Sequence, residues 1–452
     1  MSLCSLTKHN GKFNLNKLAL DYSRTLNFIS HSSDLGIAQL KVESDSYDGR
    51  IVRVKGKDLI HFGNCSYVGL DTCEALKQGA IDAITSYGNL FASSRQYIGL
   101  GLNEELEEFL NQITGHHTLV TQSTTLGTIS AIPVIVSSND LIVMDHQVHA
   151  SVQAGVKIAQ TQGTKVGMVR HSNMMALEDA IIKHQHNYEK IWYMADGIYS
   201  MLGDTCPIED LYKLMDRYPN FHCYVDDAHG ISWIGKHGKG MVLHKRPLHL
   251  QMVLVMSLAK GFGCCGGVLV FPTAEARYLV RCTGLSLIYS GPIPTPLLGA
   301  CIASAKLHLT NEIKVRQNAL HARIKYFREK AYAYGLPLVN HSFSPIFYFG
   351  AGTEGNAYHI VKKMLDAGFY TNICNYPVVP KKNAGIRVTL TTHINYEDID
   401  NVLSTMANLI ADLENEGKFD KEKIYKDFRA LEVVKNLPTW DSQQEESSLV
   451  AA

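Results

Sequence analysis

Between residues 72 and 300 the chain alternates short apolar, β-branched runs with segments of helical periodicity. The helical segments include CEALKQGAIDAITSYG and LNEELEEFLNQITG. The strand-like runs are HTLVTQ, DLIVMD, TKVGMVR, KIWYMA, HCYVDDA, MVLVMSLA and GGVLVF. Short apolar strands separated by helices are typical of a parallel or mixed sheet that is covered on both faces. The sequence therefore predicts an α/β fold built on one large sheet.

Two stretches of different character flank the predicted sheet. Before it, residues 13–45 have helical spacing of apolar positions, and RIVRVKG and DLIHF indicate two short strands around a Lys-Gly-Lys turn. After it, the helical stretch CIASAKLHLTNEIKVRQNALHARIKYFREKAYAYG leads to a smaller unit with strands PIFYFG and IRVTLTT and the amphipathic helix EDIDNVLSTMANLIADLEN. We predict an N-terminal segment at 1–70, a large domain at 71–300, a small α+β domain at 301–435 and a polar tail at 436–452.

Composition narrows the class of protein. The 452 residues include 43 lysines and arginines and 43 acidic residues, and 46% of the residues are hydrophobic. The zero net charge argues against a nucleic-acid partner, and the hydrophobic content argues against a disordered chain. The ten cysteines show no spacing typical of a zinc site, so we expect no metal. No apolar run is long enough for a transmembrane segment, and a polar N-terminus with reduced thiols predicts a cytoplasmic protein.

Ligands of open α/β sheets bind at the carboxyl ends of the strands, so polar residues after the predicted strands are the first candidates. Lys260 follows the apolar run VLVMSLA and precedes GFGCCGG. Burial lowers the pKa of a lysine and allows its amine to condense with a carbonyl group. The alternative is a lysine whose ammonium group extends from a loop into solvent.

A second strand end carries an acid and a histidine in CYVDDAHGISWIG. The three-residue offset between Asp226 and His229 in a tight turn lets both side chains contact one ligand. The carboxylate suits a protonated ring nitrogen, and the histidine suits a ring oxygen. Strand alternation turns the adjacent Asp227 away from this site. The alternative is an acidic turn that caps a helix.

His149 lies in MDHQVHASVQAG, after the predicted strand LIVMD. A histidine that opens a helix can stack on a planar ligand, and His146 is the nearest competitor for this role. The alternative for His149 is a structural histidine without a ligand.

Hydroxyl side chains follow several of the predicted strands. Ser123, Thr124 and Thr125 come after HTLVTQ and before a helical run. Hydroxyls and free N–H groups at a helix N-terminus bind anions such as phosphate, although the same residues are ordinary N-caps. Ser200 in DGIYSMLGD and Ser257, three residues before Lys260, add further hydroxyls.

These groups taken together favour a single ligand. A lysine amine, an acid for a ring nitrogen, a histidine for a ring face and a phosphate cradle suit a planar, phosphorylated cofactor with a carbonyl group. Pyridoxal 5′-phosphate (PLP) has these features.

The chain resembles the α-oxoamine synthase family of fold-type I PLP-dependent enzymes. The motifs that carry the resemblance are NCSYVGLD, SSRQYIG, HASVQAG, YSMLGD with CPIEDL, YVDDAHGISWIGKHGKG, SLAKGFGCCGG and PVVPKKNAGIRVTL. The resemblance implies a fold-type I PLP-dependent transferase. Such a transferase has a large mixed, mostly parallel sheet domain with helices on both faces, plus a smaller α+β C-terminal domain. It also implies a homodimer with active sites at the subunit interface.

The resemblance assigns roles to individual residues of this chain. The lysine that holds the cofactor falls on Lys260, its pyridinium partner on Asp226, the histidine near the phenolic oxygen on His229 and the ring-stacking histidine on His149. The phosphate and ring contacts fall on Ser123, Thr124, Ser200 and Ser257. The arginine for the substrate carboxylate falls on Arg387, and Ser290 in YSGPIPT lies where a partner subunit would help hold the phosphate.

The implied reaction joins an amino acid to an acyl thioester, either acyl-CoA or an acyl-carrier protein. The deprotonated α-carbon attacks the thioester carbonyl and expels the thiol. In most members of the family the carboxylate then leaves as CO2, which yields an α-amino ketone. Two other functions remain open: an aminotransferase or aldolase acting on a small amino acid without any thioester, and a non-catalytic synthase subunit. Subunits of the latter kind typically lack the lysine that this chain has at Lys260.

The chain departs from the family pattern at several places. Asp196 in ADG stands where the family has glutamate, and STTLG replaces a Gly-Phe-x-x-Asn pattern. LNE occurs where a histidine is common, Met-Leu-Gly replaces Met-Asp-Gly after Ser200, and Cys264 and Cys265 form an unusual pair. These departures lie around the acyl and phosphate sides of the expected site.

Overall fold

The computed structural model of the chain describes residues 22–429. The predicted polar tail at 436–452 lies outside the described residues, as do residues 1–21 of the predicted N-terminal segment. The described chain forms two compact units. One contains residues 22–64, 201–203 and 321–429, and the other contains residues 65–200 and 204–320.

The described strands form three sheets. Their bounds are β1 (Ile51–Val54), β2 (Lys57–His61), β3 (His117–Thr121), β4 (Leu141–Asp145), β5 (Lys165–Val169), β6 (Ile191–Asp196), β7 (Phe221–Asp226), β8 (Met252–Ser257), β9 (Gly267–Phe271), β10 (Ile346–Gly350), β11 (Phe369–Tyr370), β12 (Asn372–Cys374) and β13 (Gly385–Thr389).

The large unit is built on a seven-stranded sheet with the order β3-β9-β8-β7-β6-β4-β5. Each of the seven strand-like runs in the sequence is a strand of this sheet. The pairs from β8 to β5 are parallel, while β9 is antiparallel to both of its neighbours, β3 and β8. The prediction of a mixed, mostly parallel sheet is therefore confirmed.

The strands of this sheet are apolar on both faces, and the packing explains why. Neighbouring residues point to opposite sides, so Tyr193 and Cys223 belong to one buried cluster while Trp192 and Tyr224 belong to another. Because helices cover both faces, neither set of side chains faces water. This packing accounts for continuous apolar runs in place of an alternating pattern.

The described helices cover the sheet of the large unit and build much of the smaller one. Their bounds are α1 (Ser23–Asp34), α2 (Glu74–Tyr87), α3 (Leu102–Thr114), α4 (Thr124–Ile135), α5 (Ala150–Thr161), α6 (Met174–His184), α7 (Ile208–Arg217), α8 (Ala274–Thr283), α9 (Leu285–Tyr289), α10 (Thr295–His308), α11 (Asn311–Ala333), α12 (Glu354–Asp366), α13 (Tyr396–Asn415) and α14 (Lys421–Phe428). Two short 3-10 turns lie at Lys236–Gly238 and Lys381–Asn383.

The long helical stretch predicted after residue 300 is two helices, α10 and α11. The break occurs at Thr310, whose hydroxyl accepts a hydrogen bond from Glu312 N at 3.2 Å. A threonine that satisfies a first-turn N–H in this way starts a new helix. The boundary between the two units falls within α11, after Leu320.

The smaller unit combines N-terminal and C-terminal residues. Strand β2 pairs antiparallel with β1 and parallel with β11, and β10, β13 and β12 form a separate antiparallel sheet. Arg50 also forms a two-pronged ion pair with Asp398 at 2.5 and 2.7 Å, and Asp398 completes a capping box with Asn395 at the start of α13. These long-range contacts place residues 22–64 in one unit with residues 321–429.

No helix within residues 22–429 is both long enough and apolar enough to cross a membrane.

Candidate active site

Six strands of the large sheet end at the same edge, namely β5, which is parallel to β4, and the five strands that carry the predicted site residues or lie between them. Because β3 and β8 are both antiparallel to β9, strand β3 runs in the same direction as β4, β6, β7 and β8. The residues that follow these strands therefore meet at one edge of the sheet. The predicted site residues at this edge are Ser123, Thr124, His149, Ser200, Asp226, His229, Ser257 and Lys260.

Lys260 lies in a tight loop between β8 and β9 and is half-buried. Its carbonyl accepts a hydrogen bond from Gly263 N at 2.8 Å, and Cys264 N donates to Leu258 O at 2.9 Å. At the start of the loop, Ala259 N donates to the hydroxyl of Ser257 at 3.2 Å. These bonds fix the backbone on both sides of the lysine.

Asp226 and His229 are buried at the end of β7. The carboxylate Oδ1 of Asp226 accepts a hydrogen bond from Ala228 N at 3.0 Å, which orients it across the turn. His229 Nδ1 lies 2.6 Å from the hydroxyl of Tyr67, and its carbonyl accepts from the indole N–H of Trp233. Tyr67 is not among the residues predicted for the site, although it lies in the NCSYVGLD motif, because 162 residues separate it from His229 in the sequence.

Asp227 faces the opposite way from Asp226, as strand alternation predicts. It is fully buried, and its Oδ2 accepts a hydrogen bond from Val242 N at 3.1 Å. A Cβ on Gly197 would lie 2.5 Å from Asp227 Oδ1, so the end of β6 packs directly on this carboxyl. Burial raises the pKa of Asp227 to about 8. Asp227 is therefore part of the packing beneath the edge.

His149 is the N-cap residue of α5. Its ring Nδ1 accepts a hydrogen bond from Ser151 N at 3.2 Å and lies 2.7 Å from the hydroxyl of Ser151. Asp226 Oδ2 is 4.0 Å from the same nitrogen, which is too far for a hydrogen bond. The cap fixes the ring, and 43% of the side chain stays exposed for a stacking partner.

Asp196 lies at the end of β6, directly beside Asp226 in the register of the two strands. Its Oδ1 accepts a hydrogen bond from the backbone N–H of His149 at 3.0 Å. Burial raises the pKa of Asp196 well above its ordinary value, and the charge of Asp226 raises it further. The sequence singled out Asp196 as a departure from the family but gave it no role.

The N-terminus of α4 lies against the start of β9. Ser123 is the N-cap residue, and its hydroxyl accepts from Leu126 N at 3.2 Å. A Cβ on Gly267 would lie 2.5 Å from Thr124 N, so the close approach of the two backbones requires glycine there. First-turn N–H groups such as those of Thr124 and Thr125 have no partner within a helix, which makes this end suited to an anion.

Ser290 lies near the same helix end. Its hydroxyl donates to Gln122 Oε1 at 2.9 Å, and Gln122 directly precedes Ser123. The cavity formed here is lined by residues that include Arg95, Thr121, Gln122 and Ser290. Ser200 is partly exposed in the turn after β6.

His171, Asp145 and Asp204 form a charged cluster next to the loops that follow β4 and β6. This cluster was not predicted from the sequence. His171 Nδ1 is 3.0 Å from Asp145 Oδ1 and its Nε2 is 2.6 Å from Asp204 Oδ2. Burial lowers the pKa of His171, but the hydrogen bonds and charges of Asp145 and Asp204 outweigh it and raise the pKa to about 9. The imidazole is therefore protonated at neutral pH. The position of Asp145 directly after the apolar run LIVM is the one sequence feature that could have indicated this cluster.

Arg387 lies on β13 in the other unit and is 8% exposed. Its Nη1 is 3.4 Å from Asn372 Oδ1 on the neighbouring strand β12. The guanidinium is thus held in a buried setting next to a neutral amide, as suits a group that binds a carboxylate.

The groups at the sheet edge fit PLP. An amine at Lys260, a buried carboxylate at Asp226 and a partly exposed imidazole face at His149 match the aldehyde, the ring nitrogen and the ring of this cofactor. The N-terminus of α4, whose first-turn N–H groups have no partner within the helix, matches the phosphate.

Known proteins with similar sequences point to one family. The sequence profile described as Aminotransferase class I and II matches residues 58–406. The 8-amino-7-oxononanoate synthase of Alkaliphilus metalliredigens is 30% identical over 353 residues, which cover 77% of this chain and 87% of that protein. The serine palmitoyltransferase of Bacteriovorax stolpii is 28% identical over 358 residues, which cover 79% and 83% of the two chains.

Solved structures show the same fold. A serine palmitoyltransferase from S. paucimobilis with bound PLP superposes with a TM-score of 0.80 at 19% identity, over 88% of this chain and 99% of that one. This likeness confirms the fold-type I architecture with a large sheet domain and a smaller C-terminal domain. The chain belongs to the aminotransferase class I and II family, in its α-oxoamine synthase branch of PLP-dependent acyltransferases that join an amino acid to an acyl thioester.

Proposed function

We propose that the edge of the seven-stranded sheet is the catalytic site of this acyltransferase. The observation that carries the proposal is the convergence of Lys260, Asp226, His229 and His149 at the ends of β8, β7 and β4. Lys260 holds the cofactor through Nζ, and Asp226 pairs with its ring nitrogen. His149 stacks on the ring, and His229, fixed by Tyr67, contacts the phenolic oxygen.

The phosphate of the cofactor is assigned to the N-terminus of α4. Thr124 and Ser123 at the start of α4 supply N–H and hydroxyl donors, and Ser200 and Ser257 add hydroxyls from neighbouring strand ends. Ser290 is assigned to the phosphate of the partner subunit's site.

When bound, PLP supplies a carbonyl for the amino group of the substrate and an electron sink for its α-carbon. The residues of the chain then perform the proton transfer and the orientation. The amino group of the substrate would displace Lys260, and the freed amine at Nζ would then accept the α-proton. His149 and His229 would orient the α-carbon toward the thioester carbonyl. The new carbon–carbon bond would form as the carbon–sulfur bond breaks, and the leaving thiolate would take the proton that Lys260 accepted. The α-carbon would then lose the substrate carboxylate as CO2 and take up a proton from solvent in its place, which gives an α-amino ketone.

Arg387 is assigned to the carboxylate of the amino acid. Its burial supports this role, because a desolvated guanidinium binds a carboxylate more strongly than an exposed one. The substrate is thus an α-amino acid, and its partner is an acyl thioester.

A homodimer is the proposed assembly. The large unit exposes a set of large apolar side chains that are 55–87% exposed: Tyr97, Ile98, Tyr278, Leu285 and Tyr289. Their segments are joined, because Ser94 Oγ donates to Ile288 O at 2.8 Å and Arg281 Nη2 donates to Arg95 O at 2.5 Å. Contiguous exposed apolar surface of this kind marks a protein interface. Ser290 directly follows Tyr289, which supports active sites at the interface.

A cytoplasmic location is supported by the thiols. None of the nine cysteines among the described residues forms a disulfide, as is usual for proteins of reducing compartments.

Thiol release tests the reaction. The PLP-loaded protein is incubated with an acyl-CoA and each common L-amino acid, and free thiol is measured with a chromogenic disulfide. We expect thiol release only when the correct amino acid and thioester are both present, and none from Lys260→Ala. Conversion of an amino acid without any thioester would instead identify an aminotransferase or aldolase. A wild-type protein that takes up no PLP would contradict the proposed site itself.

A spectral titration identifies the first substrate. Each L-amino acid is added to the PLP-loaded protein while the visible absorbance is recorded. A saturable change with one amino acid names the substrate that Arg387 holds. If no amino acid changes the spectrum, the synthase function is contradicted.

A further inference from the structure

Two aspartates lie side by side at the catalytic edge. Asp196 ends β6 and Asp226 ends β7, and the two residues are direct partners in the parallel register. Asp196 is 3% exposed and Asp226 is 4% exposed. Two carboxyl groups that share a buried space cannot both ionise without a large cost, so one of them holds a proton.

The two carboxyls have different partners. Asp226 Oδ1 accepts from Ala228 N within its own turn, at 3.0 Å. Asp196 Oδ1 reaches across to the loop after β4 and accepts from His149 N, also at 3.0 Å. Asp196 therefore connects the backbone of the stacking histidine with the strand end that carries Asp226.

The surroundings decide which carboxyl is neutral. Burial is the largest influence on Asp196 and raises its pKa, and the charge of Asp226 acts in the same direction. The His149 N–H and the charge of Lys260 lower the pKa but do not outweigh burial. The one hydrogen bond that Asp196 accepts from His149 leaves its second oxygen available for the proton.

We propose that Asp196 is a positioning residue that fixes the backbone of His149 through Oδ1 and stays protonated, so that Asp226 is the single anion of the pair. The inference rests on the proposed function, because Asp226 is there the partner of the cofactor's ring nitrogen. The aspartate side chain keeps the carboxyl in register with Asp226 and places Oδ1 at 3.0 Å from His149 N.

Matched asparagine variants of the two aspartates test the assignment of charge. Asparagine has the size of aspartate and keeps an acceptor oxygen, but it cannot ionise. The PLP dissociation constant of each apoprotein is measured by absorbance titration, and the visible spectrum is recorded from pH 6 to 9. We expect Asp196→Asn to match the wild type within about twofold and to keep its spectrum, since it replaces a neutral group. We expect Asp226→Asn to bind PLP at least about tenfold more weakly and to shift the spectrum, because it removes an ionic hydrogen bond.

A second pair of variants tests the positioning role. Asp196→Leu has a similar volume but no acceptor for His149 N, and we expect roughly tenfold weaker PLP binding because a buried N–H is left unpaired. Asp196→Ala is the alternative if the leucine variant does not fold, as judged by the melting temperature of the apoprotein. The circular dichroism of bound PLP reports the orientation of the stacked ring and should change in either variant but not in Asp196→Asn.

Three results would be decisive against the inference. If Asp196→Asn weakens PLP binding as much as Asp226→Asn, Asp196 is the charged member of the pair. If Asp196→Asn alone weakens it, the charges are reversed. If the folded leucine or alanine variant binds PLP as the wild type does and keeps its circular dichroism, Asp196 does not position His149. Failure of the wild-type protein itself to bind PLP would contradict the proposed function, and this result is distinct from the other three.

Discussion

The close packing of β9 against the N-terminus of α4 depends on a glycine at position 267. The first residue of β9 lies so close to the first turn of α4 that a Cβ on Gly267 would be 2.5 Å from Thr124 N. The neighbour is backbone, so it cannot move aside as a flexible side chain can. A glycine here allows the helix N-terminus to lie against β9, at the end of α4 to which the proposed function assigns the phosphate.

Gly267→Ala should therefore weaken PLP binding. The added methyl group pushes the start of α4 away from β9, and we expect the PLP dissociation constant to rise at least about tenfold, which corresponds to roughly 1.4 kcal/mol. The measurement is an absorbance titration of the apoprotein. Gly355→Ala is the control, because an added Cβ there has only a contact at 3.9 Å and lies on the exposed first turn of α12. Equal PLP affinity of Gly267→Ala and the control would show that the phosphate is bound elsewhere.

Arg387→Ala tests the residue that is assigned to the carboxylate of the substrate. The variant removes the guanidinium assigned to the carboxylate, so we expect the amino acid to bind at least about tenfold more weakly, as loss of a charged hydrogen bond costs roughly 1.5–3 kcal/mol. PLP affinity should not change. The substrate titration and the PLP titration of the same preparation measure both quantities. An unchanged affinity for the amino acid would remove Arg387 from this role.

At the scale of elements, the charged cluster around His171 connects two loops that carry site residues. Asp145 ends β4 and accepts from Gln147 N at 2.7 Å, in the loop that leads to His149. Asp204 O accepts from Tyr199 N at 2.9 Å, next to Ser200 in the loop after β6. His171 lies between the two carboxylates, so its positive charge holds the loops together.

The cluster predicts a pH dependence of stability. The pKa of His171 is raised from 6.5 to about 9 in the folded protein, so its contribution is fully present below pH 6.5 and is lost as pH rises through 9. This difference in pKa corresponds to a contribution of roughly 3 kcal/mol at most to the free energy of unfolding. We expect the melting temperature of His171→Gln to lie below that of the wild type at pH 6 and to approach it at pH 9.5. A gap between the two proteins that is constant with pH would show that the charge of His171 does not contribute.

At the scale of the whole molecule, the exposed apolar surface of the large unit predicts the assembly. Tyr289→Asp places a charge in this surface, and we expect it to shift the protein from dimer to monomer in sedimentation velocity at micromolar concentration. Met175→Asp is the matched control, since both side chains are 81% exposed but Met175 lies on α6. A dimer that withstands Tyr289→Asp would place the interface elsewhere.

Much of the large unit could be predicted from the sequence. The seven strands and the amphipathic helix α13 are local features, because the spacing and length of apolar runs depend only on neighbouring residues. The positions of Lys260, Asp226 and His149 after these strands followed from the same pattern. The break between α10 and α11 could not be predicted in this way, since it depends on a single hydroxyl at Thr310.

The sequence by itself determined the seven strands of the large sheet, the polar residues that follow them and the resemblance to the family. The tertiary structure alone decided which of those ends are neighbours: Asp196 beside Asp226, Tyr67 on His229 across 162 residues, and His171 between Asp145 and Asp204. It also decided that β2 pairs with β11, which joins the N-terminal residues to the C-terminal unit. The physical reason is that periodicity encodes local structure, whereas strand order and register are set by the packing of the whole sheet and its helices.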